Sequence, residues 1–337
     1  DPRRYCGVID DNWVRKKSFQ DYTHMYKLHV PGEERLAGRG VRVSALHSKL
    51  KAKGAVFCDT VVWERPKWFS RDGSDEQPSF HHNNSFESVA AECKAVRERV
   101  GILDLSSFAK IEVSGPNASS FLERVTTNRL PKKSGGIVLT HLLGQNGRIQ
   151  SELTLTRTGQ DSYFLLSGSV AQYRDIDYLS MALEEGEDVS IEDVTDERGA
   201  ILIAGPKTRD LLSSVTDSNL NNKHFGWFTS QNISVAGISV LALRISYLGE
   251  LGWELYCSTK DLDQLYEAIW EAGQIHQLAD IGFYATNSLR LEKSYKGYGT
   301  ELTNEITMIE ADMERFIDWD KRHFVGQEAT LKRKEKG

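Results

Sequence analysis

The clearest pattern of apolar and polar positions in the chain predicts a helix near residue 90. Four apolar residues follow one another at steps of four, three and four: Val89, Cys93, Val96 and Val100. This spacing places one apolar stripe along an amphipathic helix. Gly101 comes directly after the stripe, and we expect it to stand just past the C-terminus of the helix, where glycine is favoured.

A strand followed by Gly-Pro and a helix occurs twice further along the chain. The first copy is KIEVSGPNASSFLERV at residues 110–125, and the second is AILIAGPKTRDLLSSV at residues 200–215. In both copies an alternating run predicts a strand, and the proline falls at or near the first turn of the helix. An internal duplication would explain the two copies, and a chance pair of matches is the alternative.

Further strands and one long helix surround these units. Residues 135–157 have the pattern of a hairpin, because two alternating runs flank the turn signal Asn146-Gly147. Residues 162–168 add a strand, a strand pair is predicted around 237–257, and LDQLYEAIWEAGQIHQL reads as a long amphipathic helix. Strands and helices mix without a regular βαβ alternation, which indicates an α+β fold.

Residues 1–78 show neither the helical nor the alternating spacing of apolar residues. Pro-Gly, Arg-Pro and Gly-Ser pairs interrupt short segments, and three tryptophans are scattered among them: Trp13, Trp63 and Trp68. This pattern predicts an irregular stretch that wraps another body.

Composition and charge exclude several classes of protein. The chain has 337 residues, enough for two or three modest cores, and its net charge of -6 gives no general attraction for phosphate backbones. Nucleic acid is therefore not an expected partner. No apolar run approaches the roughly 20 residues of a bilayer span, so no membrane partner is expected either.

Neither a metal site nor a disulfide framework is predicted. The four cysteines lie far apart without CxxC spacing: Cys6, Cys58, Cys93 and Cys257. This usage fits a reducing compartment. The adjacent pair His81-His82 lies in a Pro/Asn/Ser-rich stretch, which favours a solvated loop over a metal site.

The two ends of the chain suggest a piece of a longer polypeptide. The chain opens DPRRY without an initiator methionine, closes on KRKEKG, and has no secretory signal pattern. The nucleotide-binding patterns GxGxxG and GxxxxGK[ST] are absent, as are HExxH and GxSxG. The sequence therefore lacks the minimal motifs of a nucleotide-binding site, a zinc protease and a serine hydrolase of the GxSxG type.

Five segments together resemble the sarcosine and dimethylglycine dehydrogenase family. They are ERLAGRGVR, WERPKWF, ISYLGELGWELY, NSLRLEKSYKGYG and TNEITMIEAD. The resemblance covers essentially the whole chain, and NWVRKKSFQDY and SELTLTR favour sarcosine dehydrogenase of the two. From about Ser79 onward the chain also resembles the aminomethyltransferase (T-protein) of glycine cleavage, which implies a folate-binding fold of mixed antiparallel sheets and helices.

The resemblance implies that two modules carry out two successive reactions. An upstream FAD module oxidises the N-methyl amine, and this chain captures the one-carbon unit on tetrahydrofolate to give 5,10-methylenetetrahydrofolate. Residues 1–78 would be a linker that packs on the missing FAD domain, and residues 79–337 the folate-binding domain without its terminal β-rich module. FAD would bind outside this chain. The expected location is the mitochondrial matrix, or the cytoplasm of a bacterium.

Glu152 is the candidate catalytic residue. Alternation along GRIQSELTLTR places Glu152 on the face opposite the apolar residues, where a solvated carboxylate is the ordinary interpretation. Relatives in the aminomethyltransferase family carry two adjacent acids there, one of them a catalytic aspartate, whereas this chain has Ser151 and Glu152. A fixed carboxylate could stabilise cationic iminium species and move the proton at N5 or N10.

The resemblance assigns four residues to folate binding: Tyr247, Glu254, Arg290 and Tyr298. Glu254 would accept two hydrogen bonds from the pterin, with Tyr247 beside the ring, whereas a carboxylate held by backbone amides is the alternative. Arg290 would grip the carboxylate tail of folate and Tyr298 would line the same pocket, although an Arg/Glu helix face is usually plain solvent. Lys293 and Lys296 are better explained as surface lysines.

Two other functions stay open. A free-standing aminomethyltransferase would take its carbon from a lipoyl-bound intermediate, and the N-terminal 78 residues argue against it. A non-catalytic relative, like the regulatory subunit of pyruvate dehydrogenase phosphatase, shares the DPRR opening and the ERPK segment. That second alternative predicts a degraded pocket, whereas Tyr247, Glu254 and Arg290 are all present.

Overall fold

The computed structural model describes residues 11–60 and 62–336. The helices in this part of the chain are α1 (Asp11–Thr23), α2 (His47–Ala52), α3 (Phe86–Glu98), α4 (Ala118–Val125), α5 (Gln172–Met181), α6 (Thr208–Ser213), α7 (Leu262–Gly273), α8 (Phe283–Glu292) and α9 (Gln327–Lys336). The strands are β1 (Ala55–Thr60), β2 (Trp63–Phe69), β3 (Gly101–Asp104), β4 (Ala109–Ser114), β5 (Ile137–Leu143), β6 (Ile149–Arg157), β7 (Ser162–Ser167), β8 (Ser190–Asp193), β9 (Arg198–Ala204), β10 (Ser230–Val235), β11 (Ile238–Leu243), β12 (Gly252–Ser258) and β13 (Ala279–Asp280).

Two larger sheets share one topology. The first has the order β5-β6-β7-β4-β8 and the second the order β10-β11-β12-β9-β3-β13. In each, a hairpin and a third strand lead to the strand of a strand-Gly-Pro-helix unit, β4 or β9. The repeated order supports the internal duplication and confirms the α+β class with mixed helices and antiparallel sheets.

The two halves exchange one strand. Strand β3 precedes β4 in the chain but pairs with β9 in the second sheet, and β8 precedes β9 but pairs with β4 in the first sheet. Each half of the duplication therefore completes the sheet of the other half.

Helices cover the outer faces of the sheets, and the inner faces pack on each other. Helices α4 and α5 cover the first sheet through residues such as Phe121 and Leu179. Helices α6 and α7 cover the second through residues such as Leu211 and Ile269. Between the sheets lies an apolar cluster, the inter-sheet cluster, where the rings of Phe164 and Tyr256 meet at 5.2 Å between centroids.

Most of the predicted elements are confirmed, but Gly101 plays another role. Helix α3 ends at Glu98, and Gly101 is the first residue of β3. A Cβ at Gly101 would lie 2.7 Å from the side chain of Val96 and 3.0 Å from that of Ile281. Close packing between helix and strand therefore explains this glycine, and its prediction as a helix terminator is wrong.

The prediction of an irregular stretch over residues 1–78 is wrong for much of its described part. Strands β1 and β2 pair antiparallel, and Leu50 and Ala55 belong to the same core cluster as the second sheet. Trp63 and Trp68 are buried. Residues 1–10, including Cys6, lie outside the described residues, and the division of the chain at residue 78 stays a prediction.

One buried carboxylate joins strand β2 to the start of helix α8. Glu92 on α3 accepts hydrogen bonds from the backbone N–H of Phe69 (2.7 Å) and of Gly282 (2.8 Å). Desolvation raises the pKa of Glu92 to about 7. The N-terminal strand pair is thereby fixed to the helix that leads to the candidate site.

Within the described residues, every helix is either too short or too polar to traverse a lipid bilayer.

Candidate functional site

Strand β6 presents Glu152 to the space between the sheets. Burial alternates from Ile149 to Leu155, which confirms the predicted two faces of this strand. Thr154 lies opposite Leu166 of β7, a member of the inter-sheet cluster. Because residues two apart share a face, Glu152 projects toward the same inter-sheet space as Thr154.

His141 lies directly opposite Glu152 on strand β5. Its Nε2 is 3.2 Å from Glu152 Oε2, and the His141 side chain is completely buried. Since an ionised carboxylate can only accept, Nε2 carries the hydrogen in this contact. His141 Nδ1 has no hydrogen-bond partner in the described part of the chain. The pair can hold or pass a proton.

Sequence reasoning missed His141. The available signal was a titratable residue inside the apolar run IVLTHLL, but its relation to Glu152 depends on the register of the hairpin. That register includes a shift between Leu142 and Leu143, which follows from the long turn before β6. A count outward from a two-residue Asn146-Gly147 turn does place residue 141 opposite residue 152, so the signal was present in the sequence.

Strand β12 presents Glu254 to the same space from the other sheet. Glu254 lies opposite Leu202 of β9 and Leu243 of β11, and both leucines belong to the inter-sheet cluster. Tyr256, on the same face, donates its hydroxyl hydrogen to Glu254 Oε2 at 2.6 Å. No other hydrogen bond or ion pair to the side-chain carboxyl of Glu254 is made by the described residues.

Apolar surroundings keep the Glu254 carboxyl close to neutral. Desolvation raises the pKa of Glu254 to about 7, and the Tyr256 hydrogen bond offsets this in part. The alternative interpretation, a carboxylate held by backbone amides, is wrong because its partner is a tyrosine hydroxyl. A partly exposed carboxyl with one internal donor keeps acceptor capacity for a ligand.

Tyr247 connects the surroundings of Glu152 to the segment that follows α8. Its hydroxyl donates to the carbonyl of Lys296 at 2.9 Å, and its ring stacks on Tyr295 at 6.1 Å between centroids. Burial raises the pKa of Tyr247 to about 12; the charge of Arg290 lowers it, and that of Glu152 raises it. Tyr247 therefore lies close enough to Arg290 and Glu152 to interact with their charges.

The structure places Arg290 beside Tyr247 and engages four of its five N–H donors. Arg290 is buried on α8, and its guanidinium donates to Asn287 Oδ1 (2.6 Å), to the carbonyl of Tyr295 (2.8 Å) and to Glu301 Oε2 (2.6 Å). Glu301 also accepts from the backbone N–H of Gly297. Arg290 thus holds residues 293–301 in place, and a grip on a carboxylate tail stays a prediction.

Tyr298 faces a different network from Tyr247. Arg174 on α5 donates to the Tyr298 hydroxyl at 2.7 Å and lies over its ring at 4.6 Å. Arg174 also contacts Asp175, which accepts a hydrogen bond from Ser151 at 2.7 Å. Burial raises the pKa of Asp175 to about 6. Ser151, next to the candidate catalyst, is thereby linked to the segment that carries Tyr298.

Two surface depressions lie apart from these residues. Each has a volume of about 290 Å³, and both lie beside α4, with Arg124, Arg129 and Lys321 among their lining side chains. Neither contains a predicted site residue. The candidate site is defined instead by the inner faces of the two sheets and by residues 293–301.

The residue types fit a planar heterocycle such as a pterin. Glu254 can accept a pair of N–H groups, and Tyr247 and Tyr295 offer aromatic faces within reach of Glu152. The inter-sheet cluster supplies the apolar surroundings that strengthen such hydrogen bonds.

Comparison with known proteins identifies the family. The family described as "GCVT N-terminal domain" matches residues 46–321. The chain belongs to the GCVT family. A second family, "FAD dependent oxidoreductase central domain", matches residues 1–44 of this GCVT chain.

Full-length similarity confirms the resemblance to the sarcosine and dimethylglycine dehydrogenase family. The GCVT chain is 36% identical over its whole length to mitochondrial dimethylglycine dehydrogenase of Mus musculus and covers 39% of that protein. It is 29% identical to mitochondrial sarcosine dehydrogenase of Mus musculus, covering 41% of that protein. These identities run against the preference for sarcosine dehydrogenase drawn from two short segments. The chain spans about two fifths of the length of both relatives.

The GCVT part also resembles free-standing enzymes. An aminomethyltransferase of Thermoanaerobacter sp. (strain X514) is 37% identical over 75% of this chain and 68% of its own length. The fold matches the crystal structure of the glycine cleavage system aminomethyltransferase T from Bartonella henselae, with a TM-score of 0.75 and 21% identity over 88% of this chain and 76% of that one. The T-protein-like fold predicted from the sequence is thereby confirmed.

Proposed function

We propose that this chain is the folate-binding portion of a sarcosine or dimethylglycine dehydrogenase. It would receive the one-carbon unit produced by oxidative N-demethylation and join it to tetrahydrofolate, giving 5,10-methylenetetrahydrofolate. The observation that carries this proposal is the convergence of Glu152 and Glu254, from two different sheets, on one inter-sheet space next to Tyr247. A proton-handling group and a heterocycle-binding group thus face the same interior.

Each residue has a separate task in this proposal. Glu254 accepts the N–H groups of the pterin and Tyr247 lies along the ring, while tetrahydrofolate supplies the nucleophilic nitrogens. Glu152 holds negative charge near the transferred carbon and moves a proton, and His141 keeps its carboxylate oriented through the 3.2 Å contact. Arg290 is a positioning residue, because it fixes residues 293–301 through Glu301.

The amine oxidation itself would belong to an upstream FAD module. Residues 1–44 match an FAD dependent oxidoreductase domain. In residues 19–43 several large apolar side chains are highly exposed, including Phe19, Tyr22, Tyr26 and Leu28. Helix α1 buries none of its own residues. These features fit a linker that packs on that module, as proposed for residues 1–78. The proposed location is the mitochondrial matrix, which the mitochondrial relatives support, with a bacterial cytoplasm as the alternative.

Glu152→Gln tests the catalytic assignment in the intact protein that contains this chain. We expect formation of 5,10-methylenetetrahydrofolate to fall by about a hundredfold, with amine oxidation and the Kd of tetrahydrofolate unchanged. Glu192→Gln is the matched control, because Glu192 is an exposed carboxylate on strand β8 of the same sheet. Wild-type transfer by the Glu152 variant would remove Glu152 from the mechanism.

Two alternatives make different predictions. An aminomethyltransferase, which the 37% identity to the Thermoanaerobacter protein favours, would transfer its carbon without an attached amine oxidase. A non-catalytic regulatory relative would bind no folate. Calorimetric titration of the intact protein with tetrahydrofolate separates these cases, since absence of binding would support the regulatory reading.

A further inference from the structure

Arg65 on strand β2 carries a charge that no described residue neutralises. Its guanidinium makes no ion pair or hydrogen bond within residues 11–60 and 62–336, and its Nε is enclosed without a partner. The residue as a whole is partly exposed. The enclosed Nε and the absence of bonds from Nη1 and Nη2 leave the terminal fork of the guanidinium as the part that can meet a ligand.

Two aromatic rings fix the orientation of this guanidinium. The Cζ atom of Arg65 lies 3.4 Å from the ring centroid of Phe283 and 5.3 Å from that of Phe108. Stacking on a ring occupies the face of the guanidinium and leaves its N–H groups free at the edge. A carboxylate can pair with such an edge through two parallel N–H···O bonds.

The nearest carboxylate is already engaged. Asp104 accepts hydrogen bonds from the hydroxyl of Ser44 and from the backbone N–H of Ser106. Burial lowers the pKa of Arg65 to about 10, and the charges of Cys58 and Asp104 offset this in part. The cation therefore remains at neutral pH without the compensation that a buried charge requires.

Arg65 adjoins the same interior as the candidate site. Phe108 and Phe283 pack against the inter-sheet cluster, which contains Tyr256, the donor to Glu254. Strand β2 follows the segment matched to the FAD dependent oxidoreductase domain. Arg65 thus stands between the part of the chain nearest that module and the inner faces of the sheets.

We propose that Arg65, stacked on Phe283 and without an anionic partner, is the carboxylate-binding group of the inter-sheet space. This inference rests on the proposed function and adds a ligand class to it. The carboxylate has two sources: the amino-acid end of the one-carbon donor that arrives from amine oxidation, or the glutamate tail of folate. The position of Arg65 beside the N-terminal segment favours the donor.

The first experiment uses acetate as a probe and is independent of folate chemistry. In the intact protein, acetate at constant ionic strength should raise the Tm relative to chloride, because a ligand of the folded state stabilises it. The gain should be smaller in Arg65→Gln than in Arg71→Gln, the matched control, because Arg71 is exposed in the turn after β2. Arg65→Lys, which keeps the charge without the planar fork, should lie between them.

Two further measurements identify the source of the carboxylate. If the donor is gripped, Arg65→Gln should release at least about fivefold more free formaldehyde per amine oxidised, with the Kd of tetrahydrofolate unchanged. If the folate tail is gripped, the Kd of tetrahydrofolate should rise about tenfold, whereas that of a tetrahydropterin without the tail should not change.

The proposal is overturned by either of two results. One is an acetate effect that is equal in Arg65→Gln and Arg71→Gln. The other is an acetate effect at Arg65 accompanied by neither formaldehyde release nor weaker folate binding, because the residue would then take no part in transfer. Failure of the proposed function is separate, since it would be seen as absence of folate binding by the wild type. Misfolding is checked by the unliganded Tm of Arg65→Gln, which should equal or exceed that of the wild type because a buried unpaired charge is removed.

Discussion

Replacing Glu254 with glutamine is expected to stabilise the fold and weaken folate binding at the same pH. Desolvation between the sheets raises the pKa of Glu254 from 4.5 to about 7, a gap of about 2.5 pH units. At about 1.4 kcal/mol per pH unit, the gap corresponds to at most about 3 to 4 kcal/mol of folding free energy, less where water reaches the carboxyl.

The sign follows from the direction of the shift. The folded-state pKa lies above the unfolded value, so the contribution of Glu254 to stability is fully present below pH 4.5 and is lost as the pH rises to about 7. Glutamine carries no charge and keeps a carbonyl that can accept the Tyr256 hydrogen bond. Glu254→Gln should therefore match the wild type near pH 4.5 and exceed it by up to about 3 to 4 kcal/mol at pH 8.

Urea unfolding at pH 4.5, 6, 7 and 8 measures the stability difference between Glu254→Gln and the wild type. Calorimetry with tetrahydrofolate at pH 6, 7 and 8 measures the change in folate binding. Binding needs the ionised carboxylate, so wild-type affinity should rise between pH 6 and 8, and the variant should show weak, pH-independent binding. A stability difference that does not change with pH would refute the reasoning about burial. Unchanged folate affinity would refute the assignment of Glu254 to the pterin.

Three further predictions concern the surroundings of the site. Tyr256→Phe removes the internal donor to Glu254. Folate affinity should therefore reach half its maximum at a higher pH in the variant than in the wild type, as calorimetry across pH would show. Arg290→Lys cannot reproduce the contacts to residues 293–301 and should raise the KM for folate several-fold, with faster proteolysis in that segment as the structural readout. Gly282→Ala would place a Cβ 2.0 Å from the carbonyl oxygen of Lys67, and we expect a loss of several kcal/mol in urea unfolding. Gly168→Ala, whose Cβ would meet no atom closer than 3.9 Å, is the control and should be nearly neutral.

Local pattern was sufficient to predict the repeated units and the hairpin of the first sheet. In KIEVSGPNASSFLERV and AILIAGPKTRDLLSSV the alternation, the glycine and the proline all agree, and Gly115 and Gly205 adopt φ values of 128° and 134°. The pairing of β3 with β9 was not predictable from these patterns. Such pairing depends on contacts about a hundred residues apart in the chain, which carry no local signal.

Strand β2 was missed because its sequence breaks the rules for strands. WERPKWF contains a proline and three charged residues, which ordinarily argue against a strand. In the structure Pro66 lies at a shift in register opposite Phe57, on a strand that pairs with β1. A bulge in a two-stranded sheet tolerates the missing N–H. Two of the three charged side chains form ion pairs, Glu64 with Arg39 and Lys67 with Glu34 and Glu76.

The site was predicted in part. Alternation placed Glu152 on the face of β6 opposite Ser151 and the apolar residues, and the structure confirms these two faces. Alternation did not show that the face of Glu152 points between the sheets. Family resemblance drew attention to Glu254 and Tyr247. The sequence could not show that most donors of Arg290 are engaged within the protein, because its partner Glu301 lies in an irregular segment.

The exchange of β3 and β8 between the sheets ties the two halves into one cooperative unit. A chain cut between α5 and β8 would leave the first sheet without its edge strand and the second without β3, so neither fragment could bury both faces of its sheet. Mixed together, the two fragments would have to reassociate to recover the fold. The same arrangement is the expected product of gene fusion in an ancestor that had assembled as a strand-swapped dimer of identical halves. Glu152 and Glu254, which now lie on different sheets, would then descend from the two subunits of that dimer.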